Sequence, residues 1–453
     1  MSDLVQAILA EAGPAELLEC ELPTRFRAAY TLKDETGMFD GQTDLDGQPD
    51  KDVRRSIHVG EVEMPELAPD EVVIAVMASA VNFNSVWTAI FEPVPTFAFL
   101  TNRAREGRWG ARHDLPHHII GSDASGVVVR TGIAVRHWSA GDRVVVFPGV
   151  IDPGDPASQD DGVLAAEPLA WGYETNFGGM ADFTVVKANQ LIRKPECLSW
   201  EEAAANTLCA GTAYRMLVGR HGARMKQGDV VLIWGATGGL GGYAVQLVRN
   251  GGGVPVCVVG SERKAEIIRA MGSEHVIDRT TLALGDEGFR DPKAWRLLRS
   301  AIRRLTEQDP NIVFDYLGRE TFTASVWMAQ RGGAVVTCGS STGYRHDYDN
   351  RHLWMKVKRI IGSHGCNYHE AAQVNRLIEL GMITPTLSAT YQLDRAADAI
   401  RSVQLNRHVG KVGVLCLAPG EGLGIADPAR RRRIGENRIG IFRRAGQRSA
   451  DDP

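Results

Sequence analysis

The sequence of 453 residues lacks the features that would tie it to a membrane, to nucleic acid or to a secretory route. It contains no apolar run near the roughly eighteen residues that a membrane-spanning helix requires. Its first residues show no basic stretch followed by a long apolar core, so no signal peptide is expected. The formal net charge is only −4, which gives no overall attraction to nucleic acid or a membrane surface. We therefore expect a cytoplasmic protein.

Cysteine is scarce and scattered, with seven cysteines and no C-x-x-C pair. A dispersed set favours reduced thiols over a disulfide scaffold, and it offers no thiolate cluster for a structural zinc site. His113, His117 and His118 lie close together, but no thiol or second histidine pair at a suitable spacing accompanies them. We interpret them as surface or core histidines and predict no metal site.

Charge of one sign is concentrated only near the C-terminus. The arginines of this basic tail are Arg430, Arg431, Arg432, Arg433, Arg438, Arg443, Arg444 and Arg448. Such a cluster is typical of a solvated terminus or of a partner contact.

The chain shows two successive patterns of predicted secondary structure. After a predicted short helix and polar loop, short β-branched runs broken by Gly, Pro and Asp begin near Val62 and predict a compact, mostly-β domain. From Ser199, the N-cap of a capped helix with Glu202 as third-position partner, strands and helices alternate, which predicts a parallel sheet covered on both faces. The predicted domains are an N-terminal extension (1–60), the first part of a β-rich domain (61–210), a nucleotide-binding domain (211–363), and a segment returning to the β-rich domain plus the basic tail (364–453).

A glycine-rich loop follows the strand VVLIW and opens a helix, which is the context that a dinucleotide-binding loop requires. Glycine lets a phosphate approach the backbone closely at the positive end of a helix. The loop residues predicted to bind the cofactor are Gly235, Thr237, Gly238, Gly239, Leu240 and Gly241.

The end of the next strand indicates which dinucleotide is bound. VCVVG ends without the Asp or Glu that would bind an adenosine ribose 2′-hydroxyl, and Ser261, Arg263 and Lys264 follow. A hydroxyl and two cations suit a 2′-phosphate, so we predict NADPH. The alternative is that the two cations only solvate the start of a helix.

Several long motifs carry a resemblance to a known family: VMASAVNFNSVWTAIFEPVPTF, RHDLPHHIIGSDASGVV, WGYETNFGG, LSWEEAAA, GDVVLIWGATGGLGGYAVQ, YDNRHLWMKVKRIIGSH and GKVGVLCLAP. From about Met64 to Gly424 the chain resembles the medium-chain dehydrogenase/reductase superfamily and, within it, the crotonyl-CoA carboxylase/reductase family. The resemblance implies an α/β fold in which a Rossmann-type doubly wound parallel sheet is inserted in a mostly-β GroES-like catalytic domain.

In that family NADPH delivers hydride to the β-carbon of a 2-enoyl-CoA, and the α-carbon of the resulting enolate attacks CO2. The resemblance implies the same reaction here, giving an alkylmalonyl-CoA that would supply polyketide extender units. It implies that the Asn84 amide and the Tyr173 backbone N–H donate hydrogen bonds to the CO2 oxygens. It also implies that Glu174 and His364 orient a bridging water and shield the site. Taken singly, Asn84 could cap a helix, Glu174 could form a structural ion pair, and His364 could be a core group.

Two positions depart from the family pattern. Gly365 and Cys366 follow Gly-Ser-His, where most members have phenylalanine, and Ala170 stands before Trp-Gly, where isoleucine is common. Smaller side chains there predict an enoyl chain longer than four carbons, unless neighbouring residues compensate. The resemblance also places Arg351 at the CoA moiety, with a surface ion pair as the alternative, and Tyr214 near the nicotinamide.

Two other functions stay open at this stage. A plain NADPH-dependent enoyl-CoA reductase would protonate the enolate and would tolerate loss of the Asn, Glu or His. In a non-catalytic NADPH-binding protein, the glycine loop would remain, whereas the residues of the CO2 motif would be replaced. The family also implies a homo-oligomer, a dimer or tetramer, with the edge strand of the Rossmann domain as the usual contact.

Overall fold

The computed structural model describes residues 2–42 and 50–450, apart from the side chains of residues 448–450. Part of the predicted polar loop and the Arg448 side chain therefore lie outside the described residues. The chain divides into two compact units, the first formed by Met1–Leu208 and Leu387–Glu436, the second by Cys209–Thr386 and Asn437–Pro453. Within the described ranges, no helix is both long and apolar enough to cross a membrane.

The first unit is mostly β-structure, as predicted. Its strands before residue 208 are β1 (Arg25–Leu32), β2 (His58–Glu63), β3 (Glu71–Ala80), β4 (His117–Ile119), β5 (Ala124–Thr131), β6 (Arg143–Val146), β7 (Gly149–Val150), β8 (Leu169–Ala170), β9 (Phe183–Lys187) and β10 (Leu191–Arg193). Its helices there are α1 (Asp3–Leu9), α2 (Pro14–Glu19), α3 (Phe83–Ile90), α4 (Phe97–Arg103), α5 (Arg108–Ala111) and α6 (Trp200–Ala204). All ten residues of β3 are buried, which explains its continuous apolar sequence.

The N-terminal segment differs from the prediction of one helix and a loop. It contains two helices and β1, which pairs antiparallel with β2 and with β4. The alternation of Arg25, Phe26, Arg27 and Ala28 matches the alternating exposure of β1. Since its partner strands come much later in the chain, this short run has no local turn signal that would mark it as a strand.

The second unit contains the predicted alternation of strands and helices. Its strands are β11 (Val230–Ile233), β12 (Val254–Val259), β13 (Val276–Asp278), β14 (Ile312–Phe314), β15 (Ala334–Thr337) and β16 (Arg359–Gly362). Its helices up to residue 386 are α7 (Thr207–Leu217), α8 (Gly239–Asn250), α9 (Glu262–Ala270), α10 (Pro292–Thr306), α11 (Phe322–Met328), α12 (Arg351–Trp354) and α13 (Tyr368–Glu379). The parallel sheet has the order β13-β12-β11-β14-β15-β16. This is the strand order of a doubly wound dinucleotide-binding fold.

The remaining elements are α14 (Ala396–Gln404), α15 (Pro428–Ile434), α16 (Glu436–Ile439), α17 (Ile441–Ala450), β17 (Leu387–Gln392) and β18 (Lys411–Leu415). Because β18 pairs antiparallel with β3, the chain does return to the first sheet. The return begins at Leu387 and not at residue 364, where we expected it. Helix α13 stays with the second unit, where Glu370 forms a buried ion pair with Arg215 of α7 at 3.0 Å.

The helix predicted after Ser199 is divided into α6 and α7. Its start is as predicted, since Ser199 and Glu202 form a capping box. The Asn206 side chain then donates to the carbonyl oxygens of Glu202 at 2.7 Å and of Ala203 at 3.3 Å. These bonds satisfy carbonyl groups at the end of α6, so the chain can leave the helix there.

The basic tail is not simply a solvated terminus. Arg431 of α15 donates to the carboxylate of Glu202 at 2.6 Å and to that of Glu436 at 2.8 Å, and its side chain is only 12% exposed. This ion pair fixes α15 to the start of α6. Arg431 therefore gives this basic cluster a structural role.

Candidate active site

The segment Ala170–Glu174 forms a closed turn in the first unit. The Glu174 carboxylate accepts from the Ala170 backbone N–H at 2.7 Å, and the Ala170 carbonyl accepts from the N–H groups of Glu174 at 2.8 Å and Tyr173 at 3.2 Å. Glu174 is thus part of the turn itself. The Tyr173 N–H, which the resemblance assigns to CO2, already has the Ala170 carbonyl as an acceptor, so donation to CO2 requires that bond to open.

The Tyr173 side chain is half-buried and packs against Phe99, with ring centroids 6.1 Å apart. Burial disfavours the phenolate, and the nearby Glu174 charge adds to this, so the pKa of Tyr173 is raised to about 12. The hydroxyl therefore stays protonated near neutral pH. It can donate a hydrogen bond but cannot serve as a base there.

Glycine is required where this turn packs on its neighbour. Gly172 has a φ of +69°, and a Cβ atom built on it would lie 2.1 Å from the Gly121 carbonyl oxygen. The same oxygen accepts from the Gly179 N–H at 2.8 Å. The glycines of WGYETNFGG therefore let the turn lie directly against the segment that contains Gly121.

Asn176 ties the end of this motif to the histidine-rich segment. Its Nδ2 group donates to the carbonyls of His113 at 3.2 Å and His117 at 2.8 Å. Its Oδ1 accepts from the N–H groups of Ile119 at 2.9 Å and Phe177 at 2.8 Å. With all four hydrogen bonds made, Asn176 has a structural and not a chemical role.

The histidines are part of the same scaffold. Both ring nitrogens of the fully buried His118 have partners, Thr96 Oγ1 at 2.8 Å and the Thr175 carbonyl at 3.2 Å. Burial lowers the pKa of His118 to about 4 and holds the pKa of His113 well below its usual value. Both imidazoles are therefore neutral at pH 7 and serve the core.

Asn84 lies near the start of α3, and its side chain is directed at Ser122. The Asn84 Nδ2 group donates to the Ser122 hydroxyl at 2.8 Å. The Asn84 Oδ1 atom is buried and has no hydrogen-bond partner among the described residues. A buried amide with one open polar position is the kind of group that a small polar ligand can complete.

A buried ion pair holds the two segments that carry Asn84 and Ser122. Lys411 of β18 donates to the Asp123 carboxylate at 3.0 Å and to the Val81 carbonyl at 2.8 Å, and Asn82 donates to the same carboxylate at 2.8 Å. The Lys411 and Asp123 side chains are 3% and 0% exposed. Since these bonds join residues next to or near Asn84 and Ser122, they fix the backbone on both sides of that pair.

Asn84 is linked to the turn at Tyr173 and Glu174 through two neighbouring residues. Asn84 binds Ser122, and the preceding residue Gly121 is in contact with Gly172 of the turn. Ser122 was not predicted as part of the site. The one sequence signal for it is its position inside the quoted motif RHDLPHHIIGSDASGVV, where it was not singled out.

His364 and Gly365 lie in the second unit, just after β16. The His364 side chain is exposed, and no described residue hydrogen-bonds its ring. Gly365 has a φ of +63°, and a Cβ atom built on it would meet no atom within 4 Å. The part that His364 plays beside Asn84 and Glu174 stays a prediction.

The glycine loop forms a cradle between β11 and α8. Tyr316 donates to the Gly235 carbonyl at 2.8 Å, and a Cβ atom on Gly238 would lie 2.3 Å from the Tyr316 hydroxyl oxygen. A Cβ atom on Gly241 would lie 2.2 Å from the Gly235 carbonyl oxygen. The first N–H groups of α8, which begins at Gly239, have no intrahelical acceptors and can bind phosphate oxygens. The cradle therefore fits a dinucleotide diphosphate.

Cations gather at the ends of β12 and β13. Ser261 caps α9 by accepting from the Lys264 N–H at 3.3 Å, and Arg263 donates to the Ala445 carbonyl at 2.6 Å. Burial, with Arg279 and Arg263 close by, lowers the pKa of Lys264. The neighbouring cations disfavour the charged form of Lys264, which indicates a positive potential at this point. An anion such as a 2′-phosphate would be attracted there.

Arg279 is a member of this group that sequence reasoning missed. It follows β13, and its guanidinium lies beside Gly260 at the end of β12, 3.3 Å from a Cβ atom built there. Because β12 and β13 are parallel neighbours, their carboxyl ends meet at one edge of the sheet. A cation directly after the strand HVID was the signal available in the sequence.

The remaining predicted site residues are Thr237, Leu240, Tyr214 and Arg351. Thr237 is buried in the loop and Leu240 is half-buried at the start of α8. Tyr214 is half-buried in α7, and burial raises its pKa. The exposed Arg351 makes a double hydrogen bond to Asp349, at 3.0 and 2.6 Å, which lowers the pKa of that carboxyl to about 2. The alternative of a surface ion pair at Arg351 is thus the geometry observed.

Comparisons with known proteins agree with both units. Residues 68–196 match the family model of the alcohol dehydrogenase GroES-like domain, and residues 239–380 match that of the zinc-binding dehydrogenases. The chain is 53% identical over 432 residues to a crotonyl-CoA reductase of Streptomyces collinus, a match that covers 94% of this chain and 96% of the relative. It is 35% identical over 389 residues to a crotonyl-CoA carboxylase/reductase of Cereibacter sphaeroides, covering 83% of this chain and 86% of the relative. The chain belongs to the crotonyl-CoA carboxylase/reductase family.

A solved structure of this family is similar over almost the whole chain. The 2-octenoyl-CoA carboxylase reductase CinF, in complex with NADP and 2-octenoyl-CoA, matches with a TM-score of 0.93 and 53% identity. The match covers 98% of this chain and 99% of CinF. The predicted fold, a Rossmann domain inserted in a GroES-like domain, is therefore confirmed.

One of the two family models is described as zinc-binding, but the described residues of this chain hold no set of zinc ligands. Across the described ranges, no three His, Cys, Asp or Glu side chains are grouped so that they could hold a metal ion. Both ring nitrogens of His118, the best-buried histidine of the predicted cluster, are already bonded. These residues do not fit a zinc ion.

Proposed function

We propose that the protein catalyses the NADPH-dependent reductive carboxylation of a 2-enoyl-CoA to an alkylmalonyl-CoA. The observation that carries this proposal is the similarity, over 98% of the chain, to a carboxylase reductase that holds NADP and 2-octenoyl-CoA. The residues that the family resemblance assigns to CO2 are all present, with Asn84, Tyr173 and Glu174 in the first unit and His364 in the second. Supply of polyketide extender units is the use we propose for the product.

The second unit holds the cofactor. When bound, NADPH supplies the hydride that reduces the β-carbon of the enoyl thioester. The N-terminus of α8 and the glycine cradle bind its diphosphate, and Lys264 and Arg279 bind its 2′-phosphate, with Ser261 as a further donor. Arg263 is held by the Ala445 carbonyl through one amino group and keeps its other N–H groups for the same phosphate.

The first unit supplies the donor for CO2. Carbon dioxide has no net charge or dipole, so its binding depends on hydrogen bonds to its oxygens and on exclusion of water from the enolate. The open, buried position of the Asn84 amide is its Oδ1 atom, and the amide is suited to donate to one CO2 oxygen when its NH2 group takes that position. Glu174 keeps the turn closed and orients a water, while His364 shields the reacting carbon.

The acyl chain that we propose is longer than four carbons. Ala170 is the residue that Glu174 bonds, so its small side chain lies at the same turn. Gly365 leaves open space where a phenylalanine is common in the family. A single methylene group in an apolar pocket is worth about 1–3 kcal/mol of discrimination between substrates.

The second candidate function is reduction without carboxylation. A simple reductase protonates the enolate and needs an acid at the α-carbon, whereas a carboxylase must keep water and acids away from it. Tyr173 is a protonated hydroxyl close to Glu174 and is the one such acid in this turn. A non-catalytic NADPH-binding protein would bind the cofactor and show no turnover with any enoyl-CoA.

We also propose a homo-oligomer, a dimer or tetramer, formed through the second unit. Strand β16 is at the edge of the parallel sheet, and the segment before it exposes Trp354 (62%), Met355 (52%) and Val357 (66%). An open strand edge beside exposed apolar side chains is suited to association with another copy. Light scattering on the purified protein tests this, and a monomeric mass would contradict it.

A cytoplasmic location is proposed on the state of the cysteines. None of the seven, all of which lie in the described ranges, forms a disulfide, and five of them are buried. Fractionation of the source cells would test the location.

The function is tested by following NADPH oxidation with crotonyl-CoA and with 2-octenoyl-CoA, each with and without bicarbonate plus carbonic anhydrase. Products are identified by mass. Alkylmalonyl-CoA that forms only when CO2 is supplied, and faster from octenoyl-CoA, is the expected result. Saturated acyl-CoA under every condition would identify a simple reductase, and binding of NADPH without turnover would identify a non-catalytic protein.

A further inference from the structure

Among the described side chains that we propose for the CO2 site, Asn84 is the one with a buried polar atom left without a hydrogen-bond partner. Ser122 is fully buried, and its hydroxyl oxygen lies 2.8 Å from Asn84 Nδ2. The other end of the amide, Oδ1, is buried and unpartnered in the described part of the chain. An unpaired buried carbonyl oxygen is unfavourable, and CO2 has no hydrogen to donate to it.

A half-turn of the Asn84 amide removes this mismatch. The oxygen and the nitrogen of a primary amide exchange places, and the Ser122 hydroxyl, which can donate as well as accept, then donates to Oδ1. The NH2 group occupies the position that was unpartnered. It presents N–H donors there, and donors are what the oxygens of CO2 require.

The surrounding contacts allow the amide to turn while the backbone stays in place. Lys411 and Asn82 both bind the Asp123 carboxylate, next to Ser122, and Lys411 also binds the Val81 carbonyl. The Asp123 carboxylate further accepts from the Leu208 N–H at 3.1 Å. These bonds do not involve the Asn84 amide, whose one side-chain partner among the described residues is Ser122.

We infer that Ser122 is a positioning residue for carboxylation: its hydroxyl donates to Asn84 Oδ1 and so directs the Asn84 NH2 group at CO2. The inference rests on the proposed function, because it names the residue that orients the CO2 donor. In this inference Ser122 acts through Asn84 and has no part in hydride transfer. Its removal therefore affects the fate of the enolate and not its formation.

The test measures the ratio of alkylmalonyl-CoA to saturated acyl-CoA, and the rate of NADPH oxidation, at several CO2 concentrations. Ser122→Ala is expected to lower the ratio about fivefold at limiting CO2, as loss of one orienting hydrogen bond would, while NADPH oxidation changes less than about twofold. Ser122→Cys keeps the shape with a weaker donor and is expected to give an intermediate ratio. Wild-type ratios in both variants would overturn the inference.

Ser79→Ala is the matched control. Ser79 is also fully buried, and its hydroxyl donates to the Asp123 carbonyl at 2.7 Å, beside Ser122 but without contact to the Asn84 amide. Its ratio is expected to equal that of the wild type. An equal fall in Ser79→Ala would mean that any loss of packing at this segment lowers carboxylation, and the inference would be overturned.

A double-mutant cycle separates positioning from a general structural effect. In an Asn84→Ala background, Ser122→Ala is expected to change the ratio no further, because no amide remains to be oriented. A second, independent fall would overturn the inference. Failure of the proposed function is distinguishable: it is a wild-type protein that forms no alkylmalonyl-CoA, whereas a carboxylating wild type with an unaltered Ser122→Ala variant overturns this inference alone.

Discussion

The Glu174 carboxylate accepts a hydrogen bond from the Ala170 backbone N–H at 2.7 Å, and the Glu174 N–H donates back to the Ala170 carbonyl at 2.8 Å. This reciprocal pair closes the turn that carries Tyr173. The residue assigned to CO2 and the residue assigned to the acyl chain are therefore parts of one local structure. A change at either one is expected to affect both.

Glu174→Ala is expected to lower the carboxylated fraction of product by about tenfold or more, since it removes a charge-assisted hydrogen bond and opens the turn. Glu174→Gln keeps an oxygen that can accept from the Ala170 N–H, so it is expected to retain more of the carboxylation. Product masses and NADPH oxidation are measured together. Equal loss of both activities in Glu174→Ala would contradict a specific role in carboxylation.

His364→Ala is expected to raise the share of saturated acyl-CoA severalfold while NADPH oxidation continues, because water then reaches the enolate more easily. His369→Ala is the matched control, as His369 is also an exposed histidine of the second unit and lies in the first turn of α13. The same product ratio in the two variants would remove His364 from the CO2 site.

Ala170→Ile is expected to shift the kcat/KM preference from octenoyl-CoA toward crotonyl-CoA by on the order of tenfold, because a larger side chain fills space at the acyl chain. Ala166→Ile, at an exposed position of the same segment, is the control. Gly365→Phe is a poorer test than the sequence suggests, since a φ of +63° strains any side chain at that position. An unchanged preference in Ala170→Ile would show that Ala170 does not limit the pocket.

Arg279→Ala is expected to raise KM for NADPH by about tenfold or more and to leave KM for NADH nearly unchanged, since it removes a charge-assisted hydrogen bond to the 2′-phosphate. Arg269→Ala is the control, because Arg269 is an exposed cation of α9 that pairs with Glu262. Steady-state kinetics with both cofactors give the discrimination. A parallel rise for NADH would assign Arg279 to the fold and not to the phosphate.

His118 makes stability depend on pH in a defined window. Burial holds its pKa at about 4 in the folded protein, against 6.5 for the unfolded chain. As pH falls from 6.5 to 4 the unfolded state gains a proton that the folded state does not, so the folded state loses about 3 kcal/mol.

The corresponding measurement is thermal unfolding of wild type and His118→Gln at pH 7 and pH 4.5. His118→Gln is expected to be less stable at pH 7 but to lose less of its Tm on acidification. Equal Tm losses in the two proteins would mean that His118 does not contribute to the acid sensitivity.

The elements with long, regular patterns were predictable from the sequence. The strand before Gly235, the helix after it and the strand before Ser261 lie where hydrophobic periodicity and glycine placed them. Strand β1 was not predictable, because its partners β2 and β4 come much later in the chain. The break between α6 and α7 was missed because it depends on the Asn206 side chain bonding backward to Glu202 and Ala203.

In the candidate site, residue types were predictable but contacts were not. The family resemblance marked Asn84 and Glu174, and the local sequence marked the cations after β12. That Asn84 binds Ser122 and that Arg279 lies beside Lys264 are contacts of the tertiary structure, because these residues come from separate segments of the chain. The bond between Glu174 and the Ala170 N–H is local, since only four positions separate the two residues, but the residue types alone did not predict it.

The sequence by itself determined the class of cofactor and the order of the domains, because phosphate binding and strand–helix alternation are set by neighbouring residues. The tertiary structure alone decided which polar groups remain available for chemistry. It engages both ring nitrogens of His118 in the core, while it leaves the Asn84 amide one open, buried position. The physical reason is that hydrogen-bond partners are assigned only when distant segments meet, and an unassigned buried group is what a ligand can bind.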